Sequence, residues 1–222
     1  MSSFPGPGFR FYEVQDLLAA YAAHDYTFTD SPEAPGPALS AYLRIVSKDP
    51  QRATTAVQQL DDLLRTGLHS PEIADDVALL PKIEPVSGRS VENCLRIIRD
   101  HLVQRIGHPA PEAQLLPQNG WEYRERFPEL SQFLGGYFHQ DFFDEYTSHG
   151  EAVDDYLAGA SETDRNQLVR DIAELCALTA TDRDLKEAAS ILGMEVSPPT
   201  GVGVRQWLAD VSGIVSRHTD GQ

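Results

Sequence analysis

Apolar side chains recur along this chain at helical rather than strand spacing. Val14, Leu17, Leu18 and Tyr21 stand at i, i+3, i+4 and i+7, as do Leu130, Phe133, Leu134 and Tyr137, so each set forms one stripe on an amphipathic helix. Two later helices have marked starts. Asp49-Pro50 puts a capping side chain before a proline at the first helical position, and Ser161-Glu162-Thr163-Asp164 has a capping serine with an acid three residues on. The stripes that follow are Val57, Leu60, Leu64 in one case and Leu168, Ile172, Leu175 in the other. A short helix is expected around Ile73–Leu80 and around Leu185–Leu192. A final helix is expected to carry Leu95, Ile98, Leu102 or, in its counterpart, Leu208, Val211, Val215. Sustained period-2 alternation of β-branched residues is missing, so strands are expected to be few.

The pairing of these predicted helices reflects an internal repeat. Residues 11–26 (FYEVQDLLAAYAAHDY) align without a gap on residues 127–142 (FPELSQFLGGYFHQDF). Residues 40–47 then lie over 154–161, residues 56–64 over 168–176, and residues 91–102 over 204–215. Four blocks in one order predict an all-α fold of two tandem, similar helical-bundle domains of about five helices each. The expected domains are residues 9–107 and 121–218. They follow a loose tail over 1–8 and are joined by a Pro/Gly-rich linker over 108–120.

Composition narrows the function classes. The 222 residues carry 18 Lys and Arg against 34 Asp and Glu, a formal net charge of −16. Such a surface is repelled by phosphate backbones and anionic lipid, which argues against direct nucleic-acid or membrane binding and in favour of a basic protein partner. The charge is uneven: residues 9–107 hold 14 acidic and 10 basic side chains, a net of −4, and residues 123–222 hold 18 and 8, a net of −10. The segment MSSFPGPGFRF has no apolar stretch behind a basic one, and apolar runs of membrane-spanning length are missing, so a cytoplasmic location is expected. Cys94 aligns with Trp207 and Cys176 with Leu64, which assigns both thiols to apolar helix positions.

Recognised catalytic or phosphate-binding motifs are absent: there is no G-x-S-x-G, no H-E-x-x-H and no glycine loop followed by Lys-Ser or Lys-Thr. His139 with Asp141, Asp144, Glu145 and His149 has metal-ligating residue types. The spacing is not that of a known motif on one helix face, the first copy has Ala23 in place of His139, and the reading set against a metal site is that His139 and Gln140 cap or extend the preceding helix at its C-terminus. No cofactor, metal or catalytic residue is assigned. What stands out is residues 127–164, with nine Asp and Glu and no Lys or Arg, interleaved with Tyr137, Phe138, Phe142, Phe143, Tyr146 and Tyr156. Acids among aromatics suit a protein interface, and Tyr137 and Phe142, aromatic in both copies, are expected in the core.

The runs FPELSQFLGGYFHQDFFDEY, SHGEAVDDYLAGAS and NQLVRDIAELCAL resemble the bacterial immunity proteins of contact-dependent growth inhibition systems. Phe127, Pro128, Leu130 and the run Gly136–Asp141 carry the resemblance; Phe142 stands where that family commonly has Trp. The first copy lacks the His-Gln pair and reads as a degenerate scaffold. The resemblance implies a non-enzymatic cytoplasmic inhibitor that covers the active site of a cognate toxin's C-terminal domain, a basic protein such as a nuclease. The resemblance fixes no toxin-contact residue; the acidic, aromatic stretch supplies the expected toxin-binding residues Phe138, His139, Asp141, Asp144, Glu145, Tyr146, Glu151, Asp154 and Asp155. A helical adaptor with another protein partner is the alternative, followed by a small metal-dependent hydrolase built on His139.

Overall fold

The computed structural model describes residues 9–85, 88–108 and 117–220. Among them are twelve α-helices and one 3-10 turn, with a lone β-bridge between Thr27 and Glu84 in place of a sheet. The chain divides into two compact units, Met1–Pro117 and Gln118–Gln222. The expected tail over 1–8 and most of the expected linker lie outside the described residues.

The first unit contains α1 (Tyr12–Ala22), α2 (Pro37–Val46), α3 (Pro50–Thr66), the 3-10 turn Pro71–Ile73, α4 (Ala74–Ala78) and α5 (Val91–Gly107). Asp49 accepts a hydrogen bond from the Gln51 N–H ahead of Pro50, so α3 starts where cap and proline coincide. Val14, Leu17, Leu18 and Tyr21 are all buried, as are Leu95, Ile98 and Leu102. On α3 the buried face is Ala53, Ala56, Leu60 and Leu63, not Val57, Leu60 and Leu64. The expectation followed the bulkiest residues. The helix is instead turned to place two alanines inward, and small side chains let a neighbouring helix approach closely.

The second unit contains α6 (Gly120–Arg126), α7 (Pro128–Tyr137), α8 (Phe142–Glu145), α9 (His149–Gly159), α10 (Glu162–Leu178), α11 (Asp182–Ile191) and α12 (Val204–Asp220). The expected N-terminal signal of α10 is a full capping box, with Ser161 and Asp164 each taking the other's backbone N–H. Leu168, Ile172, Leu175, Leu208, Val211 and Val215 are buried as the stripes predict. α6 is an addition: Asn119 and Gly120, expected in the linker, open it. Asn119 caps the Glu122 N–H while the Glu122 carboxylate takes the Asn119 amide and the Gln118 N–H. Gly193, at φ +104°, lets the turn after α11 touch α7 directly. A Cβ there would come within 2.8 Å of the Gly135 Cα, and the backbone conformation itself favours glycine.

The core of the second unit is strongly aromatic. Phe133 packs edge-on against Tyr156 with ring centres 5.0 Å apart, and Phe138 meets Trp207 at 4.8 Å and Phe142 at 5.5 Å. Such pairs favour tilted and edge-to-face geometry because ring faces are negative and ring edges positive. Phe142 is buried as expected, and Tyr137 is half-buried.

Candidate functional site

The candidate surface is the stretch that leaves α7 and runs through α8 into α9. Its first residue, Phe138, is fully buried. Its ring lies in the aromatic core and its carbonyl accepts the N–H groups of Glu195 and Val196, so Phe138 supports the surface from beneath and is not part of it. The sequence expectation for this residue is thereby corrected. Aromatic character alone cannot say which of two neighbouring rings faces water; here Phe143 does, with 78% of its surface exposed.

His139 follows the end of α7 and is organised by the acids beyond it. Its Nδ1 accepts the Asp141 N–H at 3.2 Å, while Nε2 stands 3.4 Å from the Glu145 carboxylate. A neutral ring with its proton on Nε2 satisfies both contacts, donating to Glu145. His149 does not join it. Its Nε2 donates to the Ser197 carbonyl at 2.9 Å and its ring sits against Phe142 and Phe138. Among the described residues, no group of three or more His, Cys, Asp and Glu is placed to hold a metal ion.

The remaining acids divide by how they are engaged. Asp141, Asp144 and Asp154 are exposed. Asp155 accepts the Tyr146 hydroxyl at 2.8 Å, and that phenol is pushed up to about 12, by burial first and by this hydrogen bond next. Glu151 takes the hydroxyl and the N–H of Thr147, contacts that hold it below the ordinary glutamate range, while Ser148 accepts the Glu151 N–H and caps α9. Glu151 is therefore partly structural. The acids with outward-facing carboxylates and no capping duty are those of α8 and the outer face of α9.

A second cluster, in the interior, escaped the sequence reading. On α7 the buried Glu129 accepts the Tyr156 hydroxyl at 2.9 Å, and the N–H groups of Glu129 and Leu130 both donate to Asp171 of α10 at 3.1 Å. Gln167 also donates to Asp171. Burial raises the Glu129 carboxyl above its ordinary range; the Tyr156 hydrogen bond opposes this, and Asp164 and Asp171 add to it. Asp171 is raised too, again chiefly by burial. The available signal was a glutamate and a tyrosine at aligned positions of both copies, Glu13 with Glu129 and Tyr42 with Tyr156.

No helix among the described residues is long and apolar enough to cross a membrane. No curated protein and no solved structure matches the chain. A family model does, over the span that contains α7, the α8 strap and both acid clusters: residues 126–215, in the second half of the chain, match the family described as CdiI immunity protein.

Proposed function

We propose that this chain is an immunity protein of a contact-dependent growth inhibition system, binding its cognate toxin domain in the cytoplasm and neutralising it without catalysis. The observation that carries the reading is the family match over 126–215, the half with a net charge near −10. Asp141, Asp144, Glu145 and Asp154 are exposed within a stretch of 38 residues lacking Lys and Arg, 127–164, and this supports a basic C-terminal toxin domain as the partner. An acidic inhibitor gains speed by electrostatic steering, which matters when a toxin must be caught before it acts.

The reading extends to the architecture. We take the two units to be tandem copies, and three sets of contacts at aligned positions support this. Arg10–Asp62 at 2.8 Å corresponds to Arg126–Glu174 at 2.7 Å, each guanidinium also lying over the next residue's ring, Phe11 or Phe127. Tyr42–Glu13 corresponds to Tyr156–Glu129. The paired N–H groups at the start of α1 donate to Gln59 as those of α7 donate to Asp171. On this reading the first unit is a scaffold copy and the second meets the toxin.

The test is association kinetics with the C-terminal domain encoded by the reading frame immediately upstream. Replacing Asp144, Glu145, Asp154 and Asp155 together by Asn or Gln is expected to slow association about tenfold at low salt and to flatten its salt dependence. Unchanged kinetics would remove the acidic face from the site. Failure of the wild-type chain to bind that domain, or to rescue cells expressing it, would remove the immunity reading itself.

A further inference from the structure

We propose that Phe143 is the aromatic anchor of the partner interface and that it receives a basic side chain, Arg or Lys, of the toxin domain; this deepens the immunity reading above and rests on it. At 78% exposure, Phe143 is the most exposed large hydrophobic side chain among those described. Its ring stands edge-on to the buried Phe142 with centres 5.1 Å apart, and Phe142 is fixed in turn by Phe138 and His149. A phenylalanine ring has only two side-chain torsions to lose on binding and offers a large apolar face, which is what makes aromatic residues effective anchors.

The chemistry of the occupant follows from the surroundings. Asp141, Asp144 and Glu145 neighbour the ring in sequence and are exposed, and the stretch 127–164 contains no Lys or Arg, so the ring's own stretch of chain offers acid and no cation. The first unit shows what such a region looks like when its own chain supplies the cation. There the segment after α1 is closed from within: the Arg89 guanidinium lies 5.6 Å from the centre of the Phe28 ring and donates to the Asp30 carbonyl, and His101 bonds the Ser31 carbonyl. In the aligned block of 91–102 over 204–215, Ile214 stands at the position of His101, and the same register carried two residues back puts Val202 at that of Arg89. The second unit thus lacks the basic groups that cover the corresponding segment of the first, while presenting an exposed ring among carboxylates. A guanidinium or ammonium stacked on Phe143 with Asp144 and Glu145 at its edge meets both needs, and desolvation on binding strengthens such a contact.

The experiment measures binding of the upstream-encoded toxin domain to the full chain and to Phe143→Ala and Phe143→Tyr. F143A is expected to weaken binding about 30-fold, mostly through faster dissociation, while F143Y, which keeps the ring, stays within about threefold of wild type. Circular dichroism melting of F143A checks that the loss is not unfolding; if F143A is unfolded, F143Y against Phe143→Leu gives the same comparison with the volume retained. Wild-type binding that F143A leaves within twofold would overturn the anchor and leave the immunity reading standing. Absence of wild-type binding would overturn the immunity reading. A wild-type chain that sediments as a dimer and becomes monomeric in F143A would assign the ring to self-association and also overturn the anchor.

Discussion

The interior of the first unit and that of the second solve the same problem with opposite charge. In the first, buried Glu13 accepts the Tyr42 hydroxyl at 2.7 Å and also the Arg52 Nε at 2.9 Å, and Arg52 reaches Asp16 as well. In the second, Glu129 keeps the tyrosine, Tyr156, but the third residue of α10, where α3 has Arg52, is Asp164, which pushes the Glu129 carboxyl further up. A carboxylate out of water is tolerable when a cation and hydrogen bonds compensate it, and costly when only part of that set remains. At this site the first unit therefore meets its buried acid with a cation and a hydrogen bond, and the second meets Glu129 with the tyrosine hydrogen bond and a nearby acid. In the second unit the buried acids are held by hydrogen bonds, Glu129 by Tyr156 and Asp171 by two backbone N–H groups and Gln167.

The sharpest way to break the comparison is to make the first unit resemble the second. Arg52→Met removes the cation and retains the aliphatic stem, leaving Glu13 buried with only its tyrosine. Since Arg52 is itself partly exposed, the expected loss is about 3 kcal/mol, at the low end for a broken buried pair. Hydrogen exchange of the α1 amides reads this locally, and protection equal to wild type would show that Glu13 does not need its cation.

A smaller effect distinguishes the two tyrosines. Tyr156→Phe deprives Glu129 of its side-chain hydrogen-bond donor and should cost about 2 kcal/mol, whereas Tyr42→Phe leaves Arg52 in place and should cost about 1 kcal/mol. Both tryptophans, Trp121 and Trp207, lie in the second unit, so tryptophan fluorescence during urea unfolding follows Y156F directly. Equal costs for the two substitutions would mean that Arg52 contributes nothing to Glu13.

How much of this was legible in the sequence depends on the kind of information involved. Helices announced by an apolar stripe, such as α1 and α7, or by a stripe and a cap, such as α10, were readable because period and cap are local. The rotation of α3 was not, because two alanines outrank Val57 and Leu64 only when a neighbouring helix is there to be approached. The acidic stretch was readable as a stretch, yet Phe138, expected at the surface, is buried, and Phe143, to which no role was assigned, is exposed. An aromatic five residues from another can face either way until the chain between them has turned, and α8 supplies that turn. Glu129 and Asp171 were overlooked for a related reason. A single acid on an amphipathic helix reads as surface unless its partners, from helices far along the chain, are known to converge on it.

The smallest expected effect separates burial from charge at Glu129 itself. Because its folded-state carboxyl binds a proton more readily than in the unfolded chain, folding is favoured as the group becomes protonated. This contribution falls as pH rises from the ordinary glutamate range through the raised folded value. Glu129→Gln is isosteric, cannot titrate, and keeps a carbonyl oxygen to accept the Tyr156 hydroxyl. It is therefore expected to be more stable than wild type at pH 7, with the difference shrinking as the pH is lowered towards the ordinary glutamate range. Asp171 is raised in the same sense and remains in the variant, so the difference between the two proteins at each pH reports Glu129 together with its coupling to Asp171. Tryptophan-monitored urea unfolding between pH 4.5 and pH 7 measures it. A variant less stable than wild type at pH 7 would show that the Glu129 charge is already compensated, as Arg52 compensates Glu13, and the contrast between the two interiors would fail at its centre.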